Sequence, residues 1–244
     1  MSDPPFVGVD GTPDGWLAVR YDHDGFRDVR RYDDAAQLWT DNADAETVLV
    51  DIPIGLADDC AARAPEQEAR AVLDDRRSSV FNVPIRPVLH VDDYETANDR
   101  QRAAIDKGLQ KQTFNVVPKI RAVDALFADG TASQAVLREA HPEVCFWALA
   151  GREPMANSKT GRPAPAFWER VRVLRNVDDD FDAALFAAGE TVADWDSEAS
   201  NDDLLDAFAL AVTASEHTGD LQTLPENPDR DATGLRMEMV YAEP

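Results

Sequence analysis

Cysteine is nearly absent from this chain of 244 residues: Cys60 and Cys145 stand far apart, with no Cys-x-x-Cys and no Cys/His grouping. That excludes a disulfide framework and gives no spacing for a zinc site, so both are expected to be buried, inert thiols. Lysine is almost as scarce, at four positions (Lys107, Lys111, Lys119, Lys159) among 24 basic residues. No apolar run approaches the roughly 20 residues of a membrane-spanning helix. The opening Met1-Ser2-Asp3-Pro4-Pro5 has neither a basic nor an apolar stretch, so no export signal or membrane contact is expected and the setting reads as cytoplasmic.

Acid is what the chain has in excess: 47 Asp and Glu give a net charge of −23. The acids are spread along the whole sequence, and runs such as Asp33-Asp34, Asp74-Asp75 and Asp178-Asp179-Asp180 read as solvated faces and loops rather than an acidic tail. A halophilic cytoplasm accounts for this pattern. Where salt shortens the Debye length toward about 3 Å, self-repulsion is screened and a lysine-poor anionic surface stays folded and soluble. Such a surface repels nucleic acid, so a polyanionic substrate needs a local basic patch and bridging cations.

Apolar patterning predicts strands over 6–10, 16–19 and 26–32, separated by glycine-rich turns, then a short helix over 35–39. The run Thr47-Val48-Leu49-Val50 suits a strand buried on both faces and ends at Asp51-Ile52-Pro53. Helices follow over 59–73, 94–105 and 120–127, with a proline-broken stretch over 80–89, then a strand over 135–140 and helices over 144–149, 168–175 and 202–216. An alternating segment over 235–241 reads as a closing strand. The length suits a single domain, 1–244, with a helical and irregular insertion at about 57–130. Three antiparallel strands, a helix, then buried strands alternating with helices is the order of an RNase H-like α/β fold with a mixed five-stranded sheet. There the first and fourth strands lie side by side about 4.8 Å apart, so Asp10 and Asp51, each closing its strand, meet at the carboxyl edge.

Two adjacent carboxylates repel unless a cation joins them. Asp10 alone could be a turn residue before Gly11-Thr12-Pro13, but Asp51 continues an apolar run and needs a partner for a buried charge. Near the C-terminus, Ser200-Asn201-Asp202-Asp203-Leu204-Leu205-Asp206 opens a helix. Ser200 with Asp203 fits a capping box and Asp202 suits the helix dipole, whereas Asp206 lies beyond the cap beside the apolar stripe. Asp203 and Asp206 are therefore candidate third and fourth ligands. Hard oxygen ligands without Cys or His select Mg2+ or Mn2+. Two such ions about 3.5 to 4 Å apart activate water and stabilise a leaving oxygen on phosphorus. His141 and Glu143, after the fifth strand, are candidates for a proton carrier and a further ligand, or else form an ordinary helix start. Arg76, Arg77, Arg86, Lys111 and Lys119 concentrate scarce positive charge in the middle segment and are the candidate phosphate contacts.

The sequence resembles the domain of unknown function 429 family, described as predicted RNase H-like nucleases. The resemblance is carried in order by Gly8-Val9-Asp10-Gly11, Val50-Asp51-Ile52-Pro53-Ile54-Gly55-Leu56, Arg76-Arg77-Ser78-Ser79-Val80-Phe81, Gln112-Thr113-Phe114-Asn115, Glu139-Ala140-His141-Pro142-Glu143, Ser158-Lys159-Thr160-Gly161, Asp202-Asp203-Leu204-Leu205-Asp206-Ala207 and Gly234-Leu235-Arg236-Met237. It implies the RNase H-like fold and carries over Asp10, Asp51, Asp203 and Asp206 as candidate catalytic acids; together with the composition it points to a haloarchaeal member. One departure falls at Pro65-Glu66, where the resemblance leads one to expect Cys-Asp. The expected activity is a metal-dependent nuclease or phosphodiesterase acting on nucleic acid or a nucleotide. Asp10-Gly11-Thr12 also suits an actin-like ATPase or sugar kinase, but the second glycine-rich phosphate loop is missing. A non-catalytic RNase H-like binding module is the third reading.

Overall fold

The computed structural model describes residues 3–58 and 63–244. The first three apolar runs form an antiparallel meander of Phe6–Thr12 (β1), Gly15–Asp22 (β2) and Gly25–Tyr32 (β3), followed by helix Ala35–Asn42 (α1). Thr47–Val50 (β4) and Leu137–Glu139 (β5) then add parallel to β1, giving a mixed five-stranded sheet in the order β3-β2-β1-β4-β5. This α/β arrangement is compatible with the RNase H-like fold expected from the order of elements.

Between β4 and β5 the chain forms Ala64–Leu73 (α2), two short 3-10 turns, Tyr94–Ile105 (α3) and Lys111–Ala128 (α4). Cys60 and the expected start of the α2 helix near 59 lie outside the described residues. Helix α4 begins nine residues earlier than the pattern around Ile120 suggests, running straight through Pro118. A proline removes one backbone donor, while the buried stripe Thr113, Val117, Ile120, Val123 and Leu126 continues across it and holds the helix to the sheet.

After β5 come Pro142–Leu149 (α5), Pro163–Val177 (α6), Phe181–Ala193 (α7) and Asn201–Ala214 (α8). Helix α7 is not among the expected elements, although Phe181, Ala184 and Ala188 recur at helical spacing and are buried. The expected closing strand shrinks to Met239–Tyr241 (β7). It pairs with Gln222–Leu224 (β6) in a separate two-stranded sheet instead of extending the main one, which it meets through a single Ala140–Val240 bridge.

Strand alternation divides the core in two. Val7, Val9, Val48, Val50 and Leu137 face α1 and α4; Phe6, Leu17, Val19 and Leu49 face α5 to α8. On this second face α8 lies directly against β1 at Gly8. A Cβ there would stand 2.1 Å from Ala211 N and 2.2 Å from Ala207 O, so only hydrogen permits the approach. Gly8→Ala is expected to lower unfolding free energy by roughly 2–3 kcal/mol, measured by denaturant titration in molar KCl; unchanged stability would show that α8 does not seat on this glycine.

Candidate functional site

Val9 stands level with Val50 across the parallel β1/β4 pair, and Asp51 N donates to Val9 O at 3.0 Å. The next residues on the two strands are Asp10 and Asp51. β1 itself continues to Thr12 along β2, so Asp10 does not close its strand as expected; it is the point where β1 outruns β4. Phe6, Gly8 and Asp10 share the sheet face covered by α8, as does Leu17 opposite Asp10. Helix α8 brings Asp206 to the same edge, because its neighbour Ala207 is one of the residues seated on Gly8.

These acids act on one another electrostatically. Burial raises the Asp10 carboxyl well above its ordinary range, and the charges of Asp206, Asp51 and Asp203 push it further, against the pull of Lys159. Burial pushes Asp206 up to about 6, opposed by Lys159 and reinforced by Asp51. Asp51 is raised by burial, with His141 and Lys159 acting in the opposite sense. One Asp10 oxygen accepts the Gly11 N–H at 2.7 Å. Lys159 Nζ binds both Asp206 oxygens, 2.5 Å from Oδ1, with its side chain largely buried. Lys159 is not among the expected site residues; its signal in the sequence is a lysine retained between Ser158 and Thr160 in a chain with only four.

Asp203 is engaged elsewhere. It completes the capping box of α8, Oδ2 accepting Ser200 N–H at 2.7 Å while Ser200 Oγ accepts Asp203 N–H, and it does not line the cavity described below. His141 caps α5, its Nδ1 accepting Glu143 N–H at 3.2 Å. Glu143 accepts from the buried Arg170 guanidinium at 2.6 Å, so it enters the site as an ion-pair partner rather than a free ligand.

Asp10, Asp51, Asp206, Lys159, His141, Glu143 and Arg170 all line a cavity of about 490 Å3 at the carboxyl edge of the sheet. A second charged group that sequence reasoning missed adjoins it: Arg63 donates to Glu139 at 2.6 Å and lies 3.6 Å from Glu66, all three are buried, and the two glutamates line the cavity. Burial pushes the Glu139 carboxyl up to about 8, with Arg63 pulling the other way. Glu66, standing at the departure from the family pattern, has its Oε1 in the ion pair with Arg63, whereas Thr113 Oγ1 and Arg76 Nε on the cavity wall have no hydrogen-bond partner among the described residues. Buried polar atoms left unpaired cost about 1–3 kcal/mol each, which a hydrogen-bonding ligand would offset.

Of the basic candidates, Arg76 and Lys119 reach the cavity. Lys119 packs over Gly11, donates to Gly15 O at 2.7 Å and lies 4.8 Å over the Trp16 ring. Arg77, Arg86 and Lys111 do not line it. Arg86 is bound by Asp124 and by Asp231 of the C-terminal segment, and Lys111 lies over the Tyr94 ring, so Arg86 ties the insertion to that segment and Lys111 packs within the insertion. Phe81, half exposed, lines the cavity wall, whereas Trp16, Trp39 and Trp147 are core.

The donor set has the chemistry of a hard divalent ion: carboxylates without sulfur, held together against burial and mutual repulsion. As placed, no group of three or more Asp, Glu, His or Cys side chains among the described residues can hold a metal ion by itself. The thiol of Cys145 is buried and pushed up to about 12, inert as expected. No helix among the described residues is long and apolar enough to cross a membrane. Because the Asp10 and Asp206 carboxyls are raised in the folded state, the stability they contribute is present at low pH and lost as pH rises through their folded values, about 6 for Asp206. Asp10→Asn is therefore expected to melt at a higher temperature than the parent protein at pH 8 without divalent ions, with the gap closing as pH falls. A variant less stable than the parent at pH 8 would show that Asp10 is not under repulsion.

No curated protein and no solved structure matches the chain. A family model does, over residues 8–230, which includes Asp10, Asp51, Asp203 and Asp206. The chain belongs to the family described as protein of unknown function (DUF429).

Proposed function

We propose that the protein is a divalent-metal-dependent hydrolase of phosphodiester bonds, acting on nucleic acid or a nucleotide. The observation that carries this reading is the meeting of Asp10, Asp51 and Asp206, from β1, the end of β4 and α8, at one edge of the sheet and facing a cavity, each with its carboxyl raised by burial. Buried carboxylates in mutual repulsion gain more from a bound cation than solvated ones do. Asp10 and Asp51 are the principal ligands, with Asp206 beside them. Mg2+ or Mn2+ at such a site supplies a polarised phosphoryl oxygen and an activated water.

The chain's own residues do the rest. Arg76 and Lys119 supply the positive charge that a phosphate needs on an otherwise anionic protein. His141 has its Nδ1 committed to the helix cap, which leaves Nε2 as the nitrogen available to pass a proton to a leaving oxygen. Arg170 holds Glu143 at the cavity wall. The Thr113 hydroxyl and the Arg76 Nε provide hydrogen-bonding groups on the wall that would hold the organic part of the substrate. A purely structural role for the acids is the competing reading, favoured by the Lys159–Asp206 ion pair.

The two readings separate on Asp51→Asn. With Mn2+ in molar KCl, the parent protein is expected to cleave at least one of single-stranded, duplex or branched DNA or RNA, or a bis-aryl phosphate. The Asp51→Asn protein, folded by circular dichroism, is expected to lose roughly 100-fold or more of that rate. Full activity in the variant, or none in the parent on any of these substrates, would overturn the proposal.

A further inference from the structure

Lys159 is not delivered to the carboxylates by a free surface loop. The backbone N–H groups of Ala156 and Asn157 donate to the two oxygens of Glu169 at 2.7 and 2.8 Å, and the Asn157 side-chain amide adds a third bond at 3.0 Å. Arg170, the next residue on α6, donates to Asn157 O at 3.3 Å and to Ala166 O at 3.1 Å, and is anchored by Glu143. Two consecutive residues of one helix thus pin the segment immediately before Lys159. The ammonium then lands on both oxygens of Asp206, with Ser158 and Thr160 beside it on the cavity wall.

We propose that Lys159 is a built-in cation of the metal site, occupying beside Asp206 the position that a second divalent ion would otherwise take, so that the site works with one metal ion. The inference rests on the metal-dependent reading above. Charge placement favours it: Lys159 already stands as the cation of Asp206, which leaves the Asp10 and Asp51 carboxylates for a divalent ion. A second divalent ion would have to compete with an ammonium already bound to Asp206 and held by a pinned segment, at a largely buried position where like charges repel strongly. In the reaction, the Lys159 ammonium would lie next to the phosphoryl group and stabilise charge there, as a metal does in a two-ion site.

The test is a count of bound Mn2+ by electron paramagnetic resonance of the free ion in molar KCl, taken as the excess over Asp51→Asn protein so that ions condensed on the acidic surface cancel. The parent chain is expected to bind one ion, Lys159→Arg one, and Lys159→Met two. Lys159→Gln, a second neutral variant, is expected to match Lys159→Met and serves if the latter does not fold. Two ions in the parent, or no additional ion in either folded neutral variant, would overturn the role of Lys159 while leaving a metal site in place. No excess over the Asp51→Asn protein in any form would overturn the metal reading itself and this inference with it.

Discussion

The contact between Gly8 and the backbone of α8 is the constraint on which the rest of the arrangement depends. A strand and a helix come this close only where no side chain intervenes, and the helix residues that meet Gly8 are Ala207, Leu210 and Ala211. Asp10 lies two residues along the strand from that glycine, and Asp206 is adjacent to Ala207 in the helix. One steric contact therefore sets where the two acids stand relative to each other, and the parallel register of β1 with β4 adds Asp51. The carboxylates converge because the backbone around them is close-packed, and their raised protonation equilibria are the electrostatic consequence.

In a chain with about twice as many acids as bases, the placement of the cations is informative. Several of them are drawn inward. Arg63 lies between Glu139 and Glu66, Arg170 holds Glu143, and Lys159 holds Asp206. Each is committed to carboxylates around a single cavity, where removing one partner would leave an uncompensated buried charge. The surface, by contrast, carries acid in loops and helix starts, such as Asp33, Asp34 and Asp202.

The sheet is legible in the sequence because its strands are short apolar runs bounded by glycine, proline and aspartate, and the β1/β4 neighbourhood follows from their order. Asp10, Asp51 and Asp206 are legible for the same reason: each interrupts or flanks an apolar pattern and so has to be partly buried. The capping box of Ser200 and Asp203 can also be read, since it depends only on local spacing. Lys159, Arg63, Glu139 and Arg170 are not legible as site residues, because their roles come from contacts between elements distant in sequence. Nothing in the local pattern around Arg170 says that its large side chain is fully buried. Pro118 masks the first half of α4, and α7 escapes notice because its stripe is made largely of alanine, which weakens the apolar signal.

The central claim is that acids from β1, the end of β4 and α8 share a divalent cation. Its most direct measurement is the anomalous diffraction of crystals grown in high KCl and soaked in Mn2+. The account predicts a manganese peak bridging the carboxylates of Asp10 and Asp51, within reach of Asp206. A soaked crystal with no peak at that sheet edge, and with Asp51 satisfied by protein donors alone, would contradict it.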